Sequence, residues 1–209
     1  MRHRSWLAGA VCAAALLVVE TQPLQGQRVS IAPNLGVYIP TTELVKAASG
    51  QEFKQEVSIT LGGRLGIFFS DRLGVEFTGD YAPSDLKISS GPKEDANIFT
   101  GSGRVTYQLV PFTSPVAFLV TGGVGVINRS GDFYEGVEDK TDVGGTIGAS
   151  ARFRLGRLLR IQLNAEDYIY KPGADIPGFA ADEERKTQND IHLSVGLGIP
   201  FLGLGQGGQ

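Results

Sequence analysis

The chain reads as an all-β protein: an eight-stranded antiparallel up-and-down transmembrane β-barrel, with short turns at one end and four long loops at the other. Three observations predict this. Apolar residues recur at every second position along the chain after residue 27. Strand side chains point alternately to opposite faces, so each such segment has one apolar and one polar face. The segments approach the length of a tilted membrane-spanning strand, about 9–11 residues. Their connections alternate between long and short, as in a membrane barrel with an even strand number.

The strands are predicted at 28–39, 54–69, 73–82, 96–109, 115–128, 142–155, 158–170 and 187–201. In the first, Val29, Ile31, Leu35 and Val37 form the apolar face. In the second, Val57, Ile59, Leu61, Leu65, Ile67 and Phe69 oppose Glu56, Ser58, Thr60, Gly62, Arg64 and Gly66. A turn at Ser70-Asp71-Arg72 leads into the third, where Leu73, Val75, Phe77 and Tyr81 alternate with Gly74, Glu76, Thr78 and Asp80. The fourth offers Phe99, Val105, Tyr107 and Leu109; the fifth offers Val116, Phe118, Val120, Val124 and Val126. Ala117, Leu119 and Ile127 make the other face of the fifth apolar as well. The sixth gives Val143, Ile147, Ala149 and Phe153, and the seventh Leu159, Ile161, Leu163 and Ile169. The eighth is the cleanest: Ile191, Leu193, Val195, Leu197, Ile199 and Phe201. Residues 40–53, 83–95, 129–141 and 171–186 are the long connections; 70–72, 110–114 and 156–157 are the short ones.

Parity alone does not say which face is inside. A soluble, lipocalin-like barrel would place the apolar set inward. The strand lengths favour the membrane reading. So do the aromatics gathered near the short-turn end (Phe69, Tyr107, Phe112, Phe118, Phe153 and Phe201), as in an interfacial belt. The early tryptophan typical of lipocalins is missing, since the single tryptophan is Trp6. The polar set carries both signs: Arg64, Glu76, Asp80, Arg104, Arg152, Arg154, Arg160, Glu166, Asp190 and His192. Eight strands leave an interior just wide enough for side chains to fill, and buried charges must be paired. The expectation is a luminal network in which Arg64, Arg104, Arg152 and Arg160 face Glu76, Asp80, Glu166 and Asp190. It is either a structural plug or a filter for solutes.

Residues 1–27 have the order of a secretory signal: basic Met1 to Arg4, an apolar run from Trp6 to Val19, then a polar stretch to Gln27. The organisation read is signal 1–27, barrel 28–201 and a Gly-rich tail 202–209. The only cysteine, Cys12, lies in the apolar run, so the remainder has no thiol chemistry. Net charge is −3, and nothing basic is concentrated enough for nucleic acid. The 29 glycines show no collagen period. Glycine within strands suits a tightly curved sheet.

The whole pattern resembles the small outer-membrane β-barrel superfamily of the OmpA transmembrane domain, OmpX and opacity-type porin-like proteins. His192 to Phe201, HLSVGLGIPF, looks like the terminal strand read by the barrel-assembly machinery, with Leu193, Val195, Leu197, Ile199 and Phe201 as the signal. In that family the aromatic usually ends the chain, whereas Leu202 to Gln209 follow here. The resemblance implies an outer-membrane location, lipid and the assembly machinery as partners, and a monomer.

No chemistry of comparable strength is found. His192 and Ser194 share a strand face and are similar to the His-x-Ser pair of lipid A 3-O-deacylases, with Asp190 as a possible carboxylate. The residues expected after that serine are replaced by Val195-Gly196. The plainer reading is a luminal histidine hydrogen-bonded to Asp190 or Ser194. Asp132, Glu135, Glu138, Asp139 and Asp142 form an acidic loop whose oxygens could hold Ca²⁺, but no EF-hand spacing is present. It is read as a solvated loop, with no metal or cofactor. Phe133, Tyr134 and Phe179 are either exposed loop contacts for a partner or rim aromatics. The expected function is a non-enzymatic outer-membrane barrel of structural or surface-interaction type. The alternatives are a narrow solute channel, a lipid A-modifying hydrolase and a secreted lipocalin-like binder.

Overall fold

The computed structural model describes residues 28–41, 45–46, 52–88, 94–110, 114–135, 140–156, 159–172 and 187–201. Eight strands close into one antiparallel barrel: β1 (Arg28–Pro40), β4 (Ser58–Phe68), β5 (Leu73–Ala82), β8 (Asn97–Gln108), β9 (Val116–Ser130), β10 (Thr141–Leu155), β11 (Leu159–Tyr170) and β12 (Gln188–Phe201). Each strand pairs with its sequence neighbours, and β1 pairs with both β4 and β12. The sheet therefore has no free edge. That is the way a β structure satisfies its backbone in lipid.

The apolar set faces out. Ile59 and Leu61 are each 66% exposed and Val143 is 68% exposed, while Arg64, Glu76 and Asp80 on the other face are 4%, 2% and 1% exposed. A soluble barrel would show the reverse, so the lipocalin-like arrangement does not apply. Outward aromatics form two girdles. Phe69, Tyr107 and Phe118 stand at the short-turn end, and Tyr81 and Phe99, paired across β5 and β8, stand near the long-loop end. Phe99 and Tyr107 are eight residues apart on β8. At about 3.3 Å per residue and a tilt of about 40°, that separation spans about 20 Å of bilayer, close to the apolar band expected of such barrels. Phe112 lies outside the described residues, as do the 1–27 and 202–209 segments.

The long connections are more ordered than their sequence suggests. Residues 40–53 and 83–95 contain β2 (Val45–Lys46), β3 (Glu52–Gln55), β6 (Asp85–Ile88) and β7 (Glu94–Asp95). These form a second, four-stranded sheet in the order β2-β3-β6-β7. The sheet continues the β4–β5 hairpin past a break at Glu56-Val57 and Pro83-Ser84. The break is stitched by Glu56 N–H to Asp85 O (3.1 Å) and by Ser84 Oγ–H to Glu56 O (3.2 Å). Residues 54 and 55, read as part of the second barrel strand, thus belong to this outer sheet. The third loop carries a single 3-10 turn, Asp132–Tyr134, entered through Gly131 at φ 112, where a side chain would be strained.

Luminal glycines make room for large neighbours. A Cβ on Gly125 would lie 2.6 Å from Thr146 Cγ2 and 2.9 Å from the Tyr168 ring. One on Gly36 would lie 2.8 Å from His192 Nε2, and one on Gly148 3.1 Å from Glu166 Cγ. Curvature alone is therefore not the reason for the glycine content. The lumen must hold tyrosines, arginines and a histidine at the packing density of a protein interior, and strand glycines supply the volume.

Candidate functional site

The lumen is the place where polar chemistry collects, and it is layered along the barrel axis. Its middle layer is a four-membered ion cluster. Arg64 donates to Glu76 and to Glu166 Oε1, and Arg104 lies 3.0 Å from Glu76 Oε1 and 2.8 Å from Glu166 Oε1. Each carboxylate is thus bridged by both guanidiniums. Arg104 and Glu76 face each other in register across β8 and β5, whereas Glu166 reaches from β11 on the far wall. All four residues are at most 4% exposed. Buried charges are tolerable only when paired this fully. The planar Arg fork allows one side chain to hold two acids.

His192 sits beside the cluster, opposite Glu166 in register. Its Nε2 is 2.7 Å from Thr60 Oγ1, and its Nδ1 is 3.8 Å from both Asp80 Oδ2 and Glu166 Oε2. It bonds neither Asp190 nor Ser194, contrary to the sequence expectation. Ser194 Oγ instead accepts a hydrogen bond from Asn164 Nδ2 at 3.1 Å, in a chain continuing to Gln162 and Ser150. The strand geometry explains this. Residues two apart on one face stand side by side and point to different partners across the lumen. A base must contact the hydroxyl that it activates, and these two side chains have different partners in this structure.

Asp190 has a different environment from the one predicted. It accepts hydrogen bonds from the Tyr38 and Tyr170 hydroxyls rather than from an arginine. Tyr170 Oη in turn accepts from Arg129 Nη2 at 2.8 Å, and Arg129 pairs with Asp142. Asp142 is therefore a luminal ion-pair partner, 3% exposed, and not part of a solvated acidic loop. Tyr38 and Tyr170 pack with Ala82, Ile98, Ile127 and Tyr168 into an apolar layer at the long-loop end of the lumen. Tyr134, expected to be exposed, is fully buried, and burial pushes its phenol pKa up. The Phe133 side chain and Phe179 lie outside what is described. Asp132 and Glu135 are solvent-exposed.

At the short-turn end a smaller apolar layer of Phe68, Ala117 and Leu119 closes the lumen from below. This explains why β9 is apolar on both faces. Arg152 lies in this layer. Its Nε donates to Gln162 Oε1 at 3.0 Å and its guanidinium lies 5.2 Å from the centre of the Phe68 ring. It makes no ion pair with the predicted acids, because Phe68 and Gln162 hold it one layer below them. Arg160 is half-buried beside it, lining the mouth with Arg154.

Of the eight residues assigned to the network, the structure thus joins Arg64, Arg104, Glu76 and Glu166, sets Asp80 beside them through His192, and places Asp190, Arg152 and Arg160 elsewhere. The residues missed were Tyr38, Tyr170, Arg129, Thr60 and Gln162. Tyr38, Tyr170, Thr60 and Gln162 follow the inward parity of their strands, which was the available signal; Arg129 fell in a stretch read as a long connection and lies instead in β9. In the terminal strand, Leu193, Val195, Leu197 and Ile199 face outward at 43–49% exposure; the Phe201 side chain is not described.

Comparison with known proteins agrees with this architecture. Solved structures of similar fold include the outer membrane protein OprG from Pseudomonas aeruginosa, with a TM-score of 0.62 at 17% identity over 85% of this chain and 97% of that one. AlkL, determined by solid-state NMR in lipid bilayers, gives 0.58 at 16% identity over 88% and 94%. Outer Membrane Protein W of E. coli gives 0.51 at 17% identity over 84% and 98%. At these identities the likeness is one of fold. No curated protein matches the sequence. The model of the outer membrane protein beta-barrel domain matches residues 10–199, and with nearly the whole barrel inside that match, the chain belongs to this family of outer-membrane barrels.

Proposed function

We propose that this protein is a non-enzymatic outer-membrane barrel. It stabilises the envelope and presents its long loops, above all the β2-β3-β6-β7 sheet, to partners outside the cell. The observation that carries the reading is the filled lumen. A wide water-filled conduit needs an open axis, and here the axis is occupied by the Arg64–Glu76–Arg104–Glu166 cluster between two apolar layers. The absence of contact between His192 and Ser194 argues against hydrolysis of lipid A. The loop sheet extends backbone pairing beyond the barrel rim, and binding residues are most effective on loops held by a rigid scaffold. Export by residues 1–27, recognition of 192–201 by the assembly machinery, and a monomeric state in lipid complete the proposal.

Planar-bilayer recording on verified folded protein tests it. The expected result is no conductance above background. Steady single-channel steps would overturn the plug reading and make the charged lumen a solute path. A parallel mass spectrum of lipid A, from cells with and without the protein, is expected to be unchanged; a lost acyl chain would overturn the non-enzymatic reading.

A further inference from the structure

At the short-turn mouth, Gln108, Ser114, Pro115, Ala117, Arg152, Arg154 and Arg160 line a recess of about 10 Å³, about the room that a single water or one ligand oxygen needs. Three of these seven side chains are cationic. Arg152 is 6% exposed, and its Nη1 is buried with no hydrogen-bond partner. Its contacts are a neutral amide oxygen and an aromatic face. The nearest luminal acid, Glu76, is already bridged by Arg64 and Arg104. Arg154 and Arg160 lie in the same lining and add two further cations beside Arg152, and Asp71 at this end pairs with Arg28. A buried cation normally has an anionic partner, and among the described residues Arg152 makes no ion pair.

We infer that this mouth is a binding site for a phosphate-type oxyanion, which inserts one oxygen toward Arg152 Nη1 while Arg154 and Arg160 hold its remaining oxygens at the rim. The recess size suits a ligand that enters by a single oxygen. Guanidiniums are matched to phosphate because their planar forks donate in pairs. The Phe69, Tyr107 and Phe118 girdle sets the bilayer interface at the same end. Two sources present that chemistry here: a lipid phosphate headgroup and a free phosphate in the aqueous space. The inference stands apart from the role of the loops.

The test uses the full barrel folded in a phosphate-free maltoside detergent. Inorganic phosphate is titrated with ³¹P line broadening as the readout, and phosphatidylglycerol retention is measured by native mass spectrometry. Arg160→Gln, Arg154→Gln and Arg152→Gln are compared with the parent, and each is first checked for the mobility shift of a folded barrel on boiling. The two rim variants keep the test alive if Arg152→Gln fails to fold. Phosphate binding weakened about tenfold or more by the rim substitutions, without lipid retention, would assign the site to a free anion. Lipid retention lost in the same variants would assign it to a headgroup. If neither probe binds, or binding ignores all the variants that fold, the inference is overturned.

Discussion

At the scale of single residues, the lumen sets its own rules for substitution. Glu166 accepts from Arg64, pairs with Arg104 and lies near the His192 imidazole, so Glu166→Gln leaves two buried guanidiniums sharing Glu76 alone. Removing one member of a buried ion set costs about 3–5 kcal/mol. The urea midpoint of the folded barrel in detergent is expected to fall accordingly, and an unchanged midpoint would mean that water already screens the cluster. Glycines give a sharper contrast. Gly125→Ala drives a methyl into the Tyr168 ring and should cost about 1–3 kcal/mol by overpacking. Gly145→Ala, with nothing within 4 Å of the new methyl, should be neutral or slightly stabilising in the same assay. Equal effects at the two sites would refute the space-filling account of the luminal glycines. Residue identities inside were only partly legible beforehand. Parity places Asp190 in the lumen, and the pairing of buried charges points to an arginine partner. Nothing in the alternation says that two tyrosines from β1 and β11 will meet there instead.

At the scale of strands, depth decides. Val195 faces out on β12 between Leu35 and Leu163 of the neighbouring strands, near the middle of the apolar band. Val195→Arg should cost about 2–4 kcal/mol, whereas Leu73→Arg, beside the short-turn girdle, should cost about 0–1 kcal/mol. Unfolding in bilayers of fixed thickness measures both, and similar costs would contradict the placement of the membrane. The loop sheet is expected to be separable from the barrel. Because β1 pairs directly with β4, replacing 42–53 with a Gly/Ser linker should leave the boil-dependent gel shift intact. Loss of the shift would show that the sheet helps to close the barrel. The eight long strands were legible because each repeats its alternation over ten residues or more. The two- and four-residue strands outside were not, since so few residues carry no period. Asp142 misled for a related reason. It adjoins an acidic run, and composition hid the parity that turns it into the lumen, where it pairs with Arg129.

At the scale of the whole molecule, the inside-out arrangement of apolar and polar faces was the question that the sequence left to length and aromatic position. Both pointed to lipid, and the exposures of Ile59 and Val143 against those of Arg64 and Asp80 answer it in the same sense. What no single segment could reveal is the vertical order of the lumen. That order depends on register between strands far apart in sequence: apolar layer, ion cluster, and apolar layer again.

The cluster has a consequence for how the chain enters the membrane. Its four members come from β4, β5, β8 and β11, so no single hairpin carries the full set. A half-built barrel sunk in hydrocarbon would strand Arg64 and Arg104 without Glu166, and a one-residue slip of any contributing strand would turn its charge toward lipid. Insertion is thereby made all-or-none and self-proofreading: the chain commits to the bilayer only when opposite walls have met in the right frame.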